Sequence, residues 1–186
     1  REVIVLHDIF TFVEGPRDES YGTVAVIVGA SFKLFPVPRR TRTYVCGFEN
    51  LQGALEFRTR VLHSPLSPLT LEIVSPHAEV VIGGDAEAMQ SGWRVLLRAS
   101  GSDAVLARYR EEVGGALTRE INDADEERLW RKLSEFSQSV FTKAQNAMLV
   151  RLDVPPSEIG KAVTAAELAG SDNNFVVATI GRVGIG

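Results

Sequence analysis

Phe35-Pro36-Val37-Pro38 divides this chain in two. Proline fixes φ and has no backbone N–H, so two prolines one residue apart cannot continue a sheet ladder. Just before them, Val24 to Phe35 is a β-rich apolar run in which Val24, Val26 and Val28 alternate with Ala25 and Ile27. It reads as sheet buried on both faces, with Gly22 and Gly29 as points of close backbone approach. Just after the prolines, Arg39-Arg40-Thr41-Arg42 is a solvated connector. The boundary therefore falls after Pro38, with residues 1–38 closing one domain and residues 39–186 forming another. Val3 to Leu6 reads as a strand already under way, and the strand Phe175 to Ile180 is followed almost at once by Gly186. Both ends lead us to expect a piece of a longer chain.

Past the boundary, strand and helix periods alternate at short spacing. Thr43 to Phe48 reads as a strand, and Asn50 caps a helix with Leu51, Ala54, Leu55, Val61 and Leu62 on its apolar face. Strands follow at Leu71 to Val74, at Val80-Val81-Ile82 before the turn Gly83-Gly84-Asp85, and at Trp93 to Leu97. Ser102 or Asp103 caps a helix whose stripe is Leu106, Tyr109, Val113 and Leu117. A second helix starts near Asp123, with Leu129, Leu133, Phe136 and Val140 inward, Trp130 widening that face, and Glu126, Glu127, Arg131 and Lys132 outward. Met148, Val150 and Leu152 alternate as a strand, Pro155-Pro156-Ser157 opens a helix that Gly170 closes, and Phe175 to Ile180 returns as a strand. The pattern predicts an α+β domain, a mostly antiparallel sheet with helices on one face.

Composition narrows the function. A chain of 186 residues, 45% hydrophobic and 24% charged, buries enough surface to fold without disulfides or structural metal. Its net charge of −4 offers no field for a phosphate backbone, so nucleic acid is not expected as a partner. The apolar runs fall well short of the roughly 20 residues that span a bilayer. A lone cysteine and no signal-peptide pattern fit a reducing cytoplasm. No Rossmann or Walker spacing of glycines occurs. His7, His63 and His77 are scattered, and Cys46 reads as a small buried apolar residue, since no nearby cation would lower its pKa. The acidic run Asp123, Asp125, Glu126 and Glu127 is explained by a helix start, so no metal site is expected.

Ser20-Tyr21-Gly22-Thr23-Val24-Ala25-Val26-Ile27, with Ala30-Ser31-Phe32-Lys33-Leu34-Phe35-Pro36-Val37-Pro38, resembles the end of the flavin-binding domain of FAD-linked oxidases of the vanillyl-alcohol oxidase type. In that family Ser-x-Gly-Thr opens a strand reading Leu-Gly-Ile-Ile, which leaves the domain through Phe-Lys-Leu-x-Pro-x-Pro. A glycine at the mouth of such a strand lets the backbone approach a flat cofactor. Glu127-Arg128-Leu129-Trp130 is similar to a helix of bacterial lactate and glycolate oxidases, and Gly181 to Gly186 is similar in place to the family's glycine-rich turn. Two departures stand out. Ala25 replaces the family's usual second glycine, and Glu14 to Glu19 stands where a Gly-Tyr-Asp-Leu stretch is usual.

The resemblance implies that residues 1–38 are the C-terminal strands of an FAD-binding domain and 39–186 a ferredoxin-like cap or substrate domain. The compact cap and the lack of metal-binding histidines bring it nearest to the smaller FAD-binding subunit of bacterial glycolate oxidases. It implies cofactor contacts at Ser20, Gly22, Thr23 and Ile27, and a substrate carboxylate partner at Arg182. The FAD belongs to the full-length protein, because the loop that cradles its pyrophosphate lies in an N-terminal half absent from this sequence. The implied reaction is hydride transfer to flavin from a small 2-hydroxy acid, glycolate or D-lactate in type. Implied partners are other oxidase subunits, including an iron–sulfur subunit, with a cytoplasmic location and membrane contact only through those partners. Two readings from other classes remain: a non-catalytic interaction module marked by a contiguous apolar patch, and a ligand-sensing domain of ferredoxin-like topology.

Overall fold

The computed structural model describes residues 38, 40–83, 92–143, 146–150, 152, 154–172 and 176–183. All but the first belong to one compact unit, Arg39–Ile185. Strand β1, Thr41–Phe48, alternates its side chains between two buried faces, Tyr44 and Cys46 on one and Val45 on the other. Helix α1, Leu51–Leu62, starts where the Asn50 side chain accepts from the Gly53 amide at 2.9 Å, and it buries Ala54, Phe57 and Val61. Strand β2, Thr70–Val74, runs straight into helix α2, Pro76–Val81. Strand β3, Trp93–Ser100, leads through the Ser102 cap into helix α3, Asp103–Val113, and then strand β4, Leu117–Ile121. Helices α4, Asp123–Ser134, and α5, Phe136–Lys143, follow. Helix α6, Ile159–Asp172, and the short strand β5, Ile180–Arg182, complete the order.

The five strands pair in the order β4-β1-β3-β2-β5, every pair antiparallel. Two interlocked units, β1-α1-β2 and β3-α3-β4, produce the ferredoxin-like arrangement, with β5 added outside β2. The α+β class and the antiparallel sheet are as expected, but helices cover both faces and not one, because the strands present apolar side chains on each side. One face packs Tyr44, Leu71, Val95 and Leu97 against Phe57 of α1, Leu106 of α3 and Val163 of α6. The second face, formed by Val45, Val74, Leu96 and Ile121, carries Ala78 of α2, Leu129 of α4 and Phe136 of α5.

Several elements differ from the sequence reading, each for a local reason. Val80 and Val81 are helical rather than extended, because Ser75 caps α2 and accepts from the Ala78 amide at 3.3 Å, with Pro76 pre-set for the first turn. Leu117 does not extend the stripe of α3. Gly114 takes φ 56° and ends the helix, so Leu117 opens β4 instead. The helix expected to run from Asp123 through Val140 breaks at Glu135, and Phe136 enters the second core at the start of α5. Gly170 lies buried inside α6, which continues to Asp172. Met148, Val150 and Leu152 form no strand; they are exposed, Met148 by 83%, and alternation alone makes no strand without a partner to pair with. The last strand begins only at Ile180. Ser75 takes Thr179 in two 2.8 Å hydrogen bonds, amide to carbonyl and hydroxyl from amide, which ends the ladder with β2. Phe175 lies outside the described residues.

Cys46 is fully buried, and that burial pushes its thiol up from 9.0 to about 12. The unfolded chain therefore releases the thiol proton at lower pH than the folded one. Its contribution is complete below about pH 9 and declines as pH rises towards 12, by of order 4 kcal/mol over the full window. Urea denaturation at pH 8 and at pH 10.5 should show the stability advantage of wild type over Cys46→Ala shrinking at the higher pH.

Candidate functional site

The ladder of β1 and β3 places Thr43 directly opposite Arg98, and β2 places Thr70 opposite Arg98 from the other side. Side chains directly opposite each other share a sheet face. A polar row, Thr43-Arg98-Thr70, thus crosses the face otherwise made by Val45, Val74 and Leu96. Helix α4 lies over this row. Glu126 and Trp130 are four residues apart, one turn, so both reach the same patch of sheet.

Glu126 is 2% exposed, yet its carboxylate is well supplied with donors. Thr43 Oγ1 donates to Oε1 at 2.7 Å, Arg98 Nε donates to the same oxygen at 3.3 Å, and Thr41 Oγ1 donates to Oε2. Trp130 Nε1 in turn donates to Thr43 Oγ1 at 2.8 Å, so that one hydroxyl both receives and gives. The Arg98 guanidinium carbon lies 5.5 Å from the centre of the Trp130 ring, within cation–π range. A buried charge is tolerated only when paired and hydrogen-bonded, and here both conditions hold. The expectation that Glu126 faces outward is overturned. It occupies the inward stripe of α4 with Leu129, Trp130 and Leu133, and a carboxylate at that helical spacing was the signal available in the sequence.

A groove of about 860 Å³ opens between α1 and α6, with Leu51, Leu55 and Leu168 beside Arg58, Thr59 and Lys161. Arg58 Nε donates to the Val183 carbonyl at 2.5 Å and ties the chain beyond β5 to α1; burial lowers its pKa. Val183 in turn donates its amide to the Leu71 carbonyl at 2.9 Å.

Among the site residues expected from the sequence, Ser20, Gly22, Thr23 and Ile27 lie outside the described residues, as does His7. Arg182 stands in β5 opposite Glu72, and Gly181 opposite Ile73; both belong to a strand ladder rather than a turn. His63 follows α1, where Nδ1 lies 2.7 Å from the Thr59 carbonyl, and His77 is in the first turn of α2. Neither histidine is near the Glu126 cluster in these contacts. Cys46, buried with a raised pKa, is no nucleophile. Among the described residues no three His, Cys, Asp or Glu side chains are grouped to hold a metal, and no helix is long and apolar enough to cross a membrane.

The residues expected to contact a flavin lie outside the described ones, and the crowded glycines within the described part serve the chain's own packing. A Cβ on Gly92 would meet the Phe48 carbonyl oxygen at 2.1 Å, and one on Gly47 would meet Arg94 and Thr118, so these glycines accommodate the chain's own atoms. The open groove has Arg58 and Lys161 on its walls, and only Gly160 among its glycines, which packs toward Leu55 at 3.3 Å.

The fold is thus a ferredoxin-like α+β sheet with a buried carboxylate–arginine pair at its centre. No protein-family model matches the chain. It is similar to glycolate oxidase subunit GlcD of Bacillus subtilis (strain 168), with 23% identity over 185 residues, taking in 90% of this chain and 38% of that protein. The chain therefore spans well under half the length of the curated relative it matches.

Replacing Glu126 by Ala leaves Arg98 without its buried partner and three donors without an acceptor. The expected cost is on the order of 3 kcal/mol, the low end for a buried pair because Arg98 keeps 30% exposure. Urea denaturation of Glu126→Ala and Glu126→Gln reads it, with the Gln variant losing less because its amide oxygen still accepts.

Proposed function

We propose that this chain is the C-terminal portion of an FAD-linked oxidoreductase that oxidises a 2-hydroxy acid of the glycolate or D-lactate type. The observation that carries the reading is the similarity to a glycolate oxidase subunit across 90% of the chain, ending in an antiparallel α+β unit where the family resemblance anticipates a cap. In this reading residues 1–38 are the last strands of the FAD-binding domain and 39–186 the cap or substrate domain. Ser20, Gly22, Thr23 and Ile27 contact the cofactor, and Arg182 meets the substrate carboxylate. In the full protein a bound flavin would supply the two-electron acceptor for the acid, and Ser20, Gly22, Thr23 and Ile27 would be the residues of this chain that hold it. The protein's share is to orient the acid and hold its carboxylate. The relative's name makes it a subunit, and we extend that to partner oxidase subunits, including an iron–sulfur subunit, in a cytoplasmic assembly that meets the membrane only through its partners.

One observation favours a second reading. Met148, Leu149, Val150, Leu152 and Val154 are all exposed, a run of apolar side chains of the kind expected of an interaction module.

The visible spectrum of this chain, and of the longest natural chain that contains it, separates the two after incubation with FAD and desalting. Retained flavin in the long chain and little in this one is the expected result. Absence of flavin from both contradicts the oxidoreductase reading and favours the module.

A further inference from the structure

The polar row poses a physical question. A buried ion pair adds little net stability over apolar residues of similar volume, yet this sheet face interrupts Val45, Val74 and Leu96 with Glu126 and Arg98. What the pair does achieve is orientation. Arg98 is held at Nε by Glu126, lies over the Trp130 ring at cation–π distance, and stands between Thr43 and Thr70 on a central strand rather than on a loop. Among the described residues the Nε bond is the one hydrogen bond of its side chain, so the two Nη nitrogens keep their donors, and 30% of the side chain reaches solvent. A guanidinium fixed along one edge and lying over a ring presents its other edge as a pre-ordered fork that matches a carboxylate.

We propose that Arg98 is a carboxylate-binding residue for a small organic acid, with Glu126 and Trp130 as its positioning residues. That the acid is the 2-hydroxy acid substrate rests on the function proposed above, in which Arg98 would hold the carboxylate in addition to Arg182; the binding itself does not. Because Glu126 already balances the charge of Arg98, selectivity comes from the two-pronged geometry rather than from a strong positive field. Lysine at position 98 keeps the charge and loses the fork, so it is the informative replacement.

The 15N-labelled chain, titrated with glycolate and with glycolamide while the Arg98 Nε–Hε signal is followed, tests the binding. Wild type should shift saturably with glycolate and not with glycolamide. Arg98→Lys, followed through the Trp130 indole N–H, should bind glycolate about tenfold more weakly, and Glu126→Gln should weaken it to a lesser degree. Binding that is unchanged in Arg98→Lys, equal for glycolamide, or absent from folded wild type overturns the proposal. In the flavin-loaded long chain, Arg98→Lys should raise KM for glycolate about tenfold with flavin content intact. An unchanged KM there, with turnover intact, overturns the assignment of Arg98 to the substrate while the oxidoreductase reading stands. A long chain that never reduces flavin sinks that reading, and the titration still decides the fate of Arg98.

Discussion

The antiparallel ladder between β1 and β3, unbroken from Thr41 opposite Ser100 to Phe48 opposite Trp93, is the constraint on which the rest depends. Each strand supplies side chains to both faces, so the pairing sets the two cores at once. A register slip of one residue would exchange the Tyr44 and Cys46 face with that of Val45 and would place Thr43 and Arg98 against the wrong helices. Everything else attaches at the margins. β2 and β4 flank the central pair, and β5 adds three residues outside β2. The helices fill the faces the ladder presents. Gly92, at φ 76°, lets the chain enter β3 so close to the Phe48 carbonyl that a Cβ has no room.

That ladder also explains why a polar cluster can exist inside the sheet. Thr43 is fully buried, and its hydroxyl is shared by a carboxylate that accepts and an indole that donates. Remove any member and another loses its partner. The cost of leaving a buried group unpaired exceeds the net worth of the hydrogen bond itself, which makes the cluster rigid. Rigidity is what a recognition residue needs, because a side chain already ordered loses little entropy when it engages a ligand. Arg98 owes its fitness for recognition to this order more than to its charge.

The fold was legible wherever a local rule decided the outcome. The Asn50 and Ser102 caps, the alternation of Trp93, Val95 and Leu97, and the stripe of Leu106, Tyr109 and Val113 could be read directly, since each reports on a single element. Reading failed where tertiary pairing decided. Val80 to Ile82 is too short a run for periodicity to distinguish helix from strand, and Ser75-Pro76 settles it. Met148 to Leu152 has the right alternation and no partner strand among the described residues. β4 is hidden because only the left-handed backbone of Gly114 separates it from the stripe before it. Of the site, the sequence reading puts Arg182 in a turn where the structure has β5, and the place of Glu126 in the stripe of α4 is a signal of burial whose partners lie far away in sequence. Those partners become visible only once Thr41, Thr43 and Arg98 are brought from distant positions to meet the carboxylate.

The proposed function draws on a flavin-domain resemblance before Pro38, a ferredoxin-like sheet after it, and similarity to a glycolate oxidase subunit across most of the chain. The function proposed from them is oxidation of a hydroxy acid by a flavin bound in the full protein. The most direct measurement is anaerobic addition of glycolate or D-lactate to the longest natural chain purified with its flavin, following the oxidised-flavin absorbance. The account predicts bleaching by at least one of these acids and none by the corresponding 2-oxo acids. A flavin that remains oxidised with every small 2-hydroxy acid tried would contradict it.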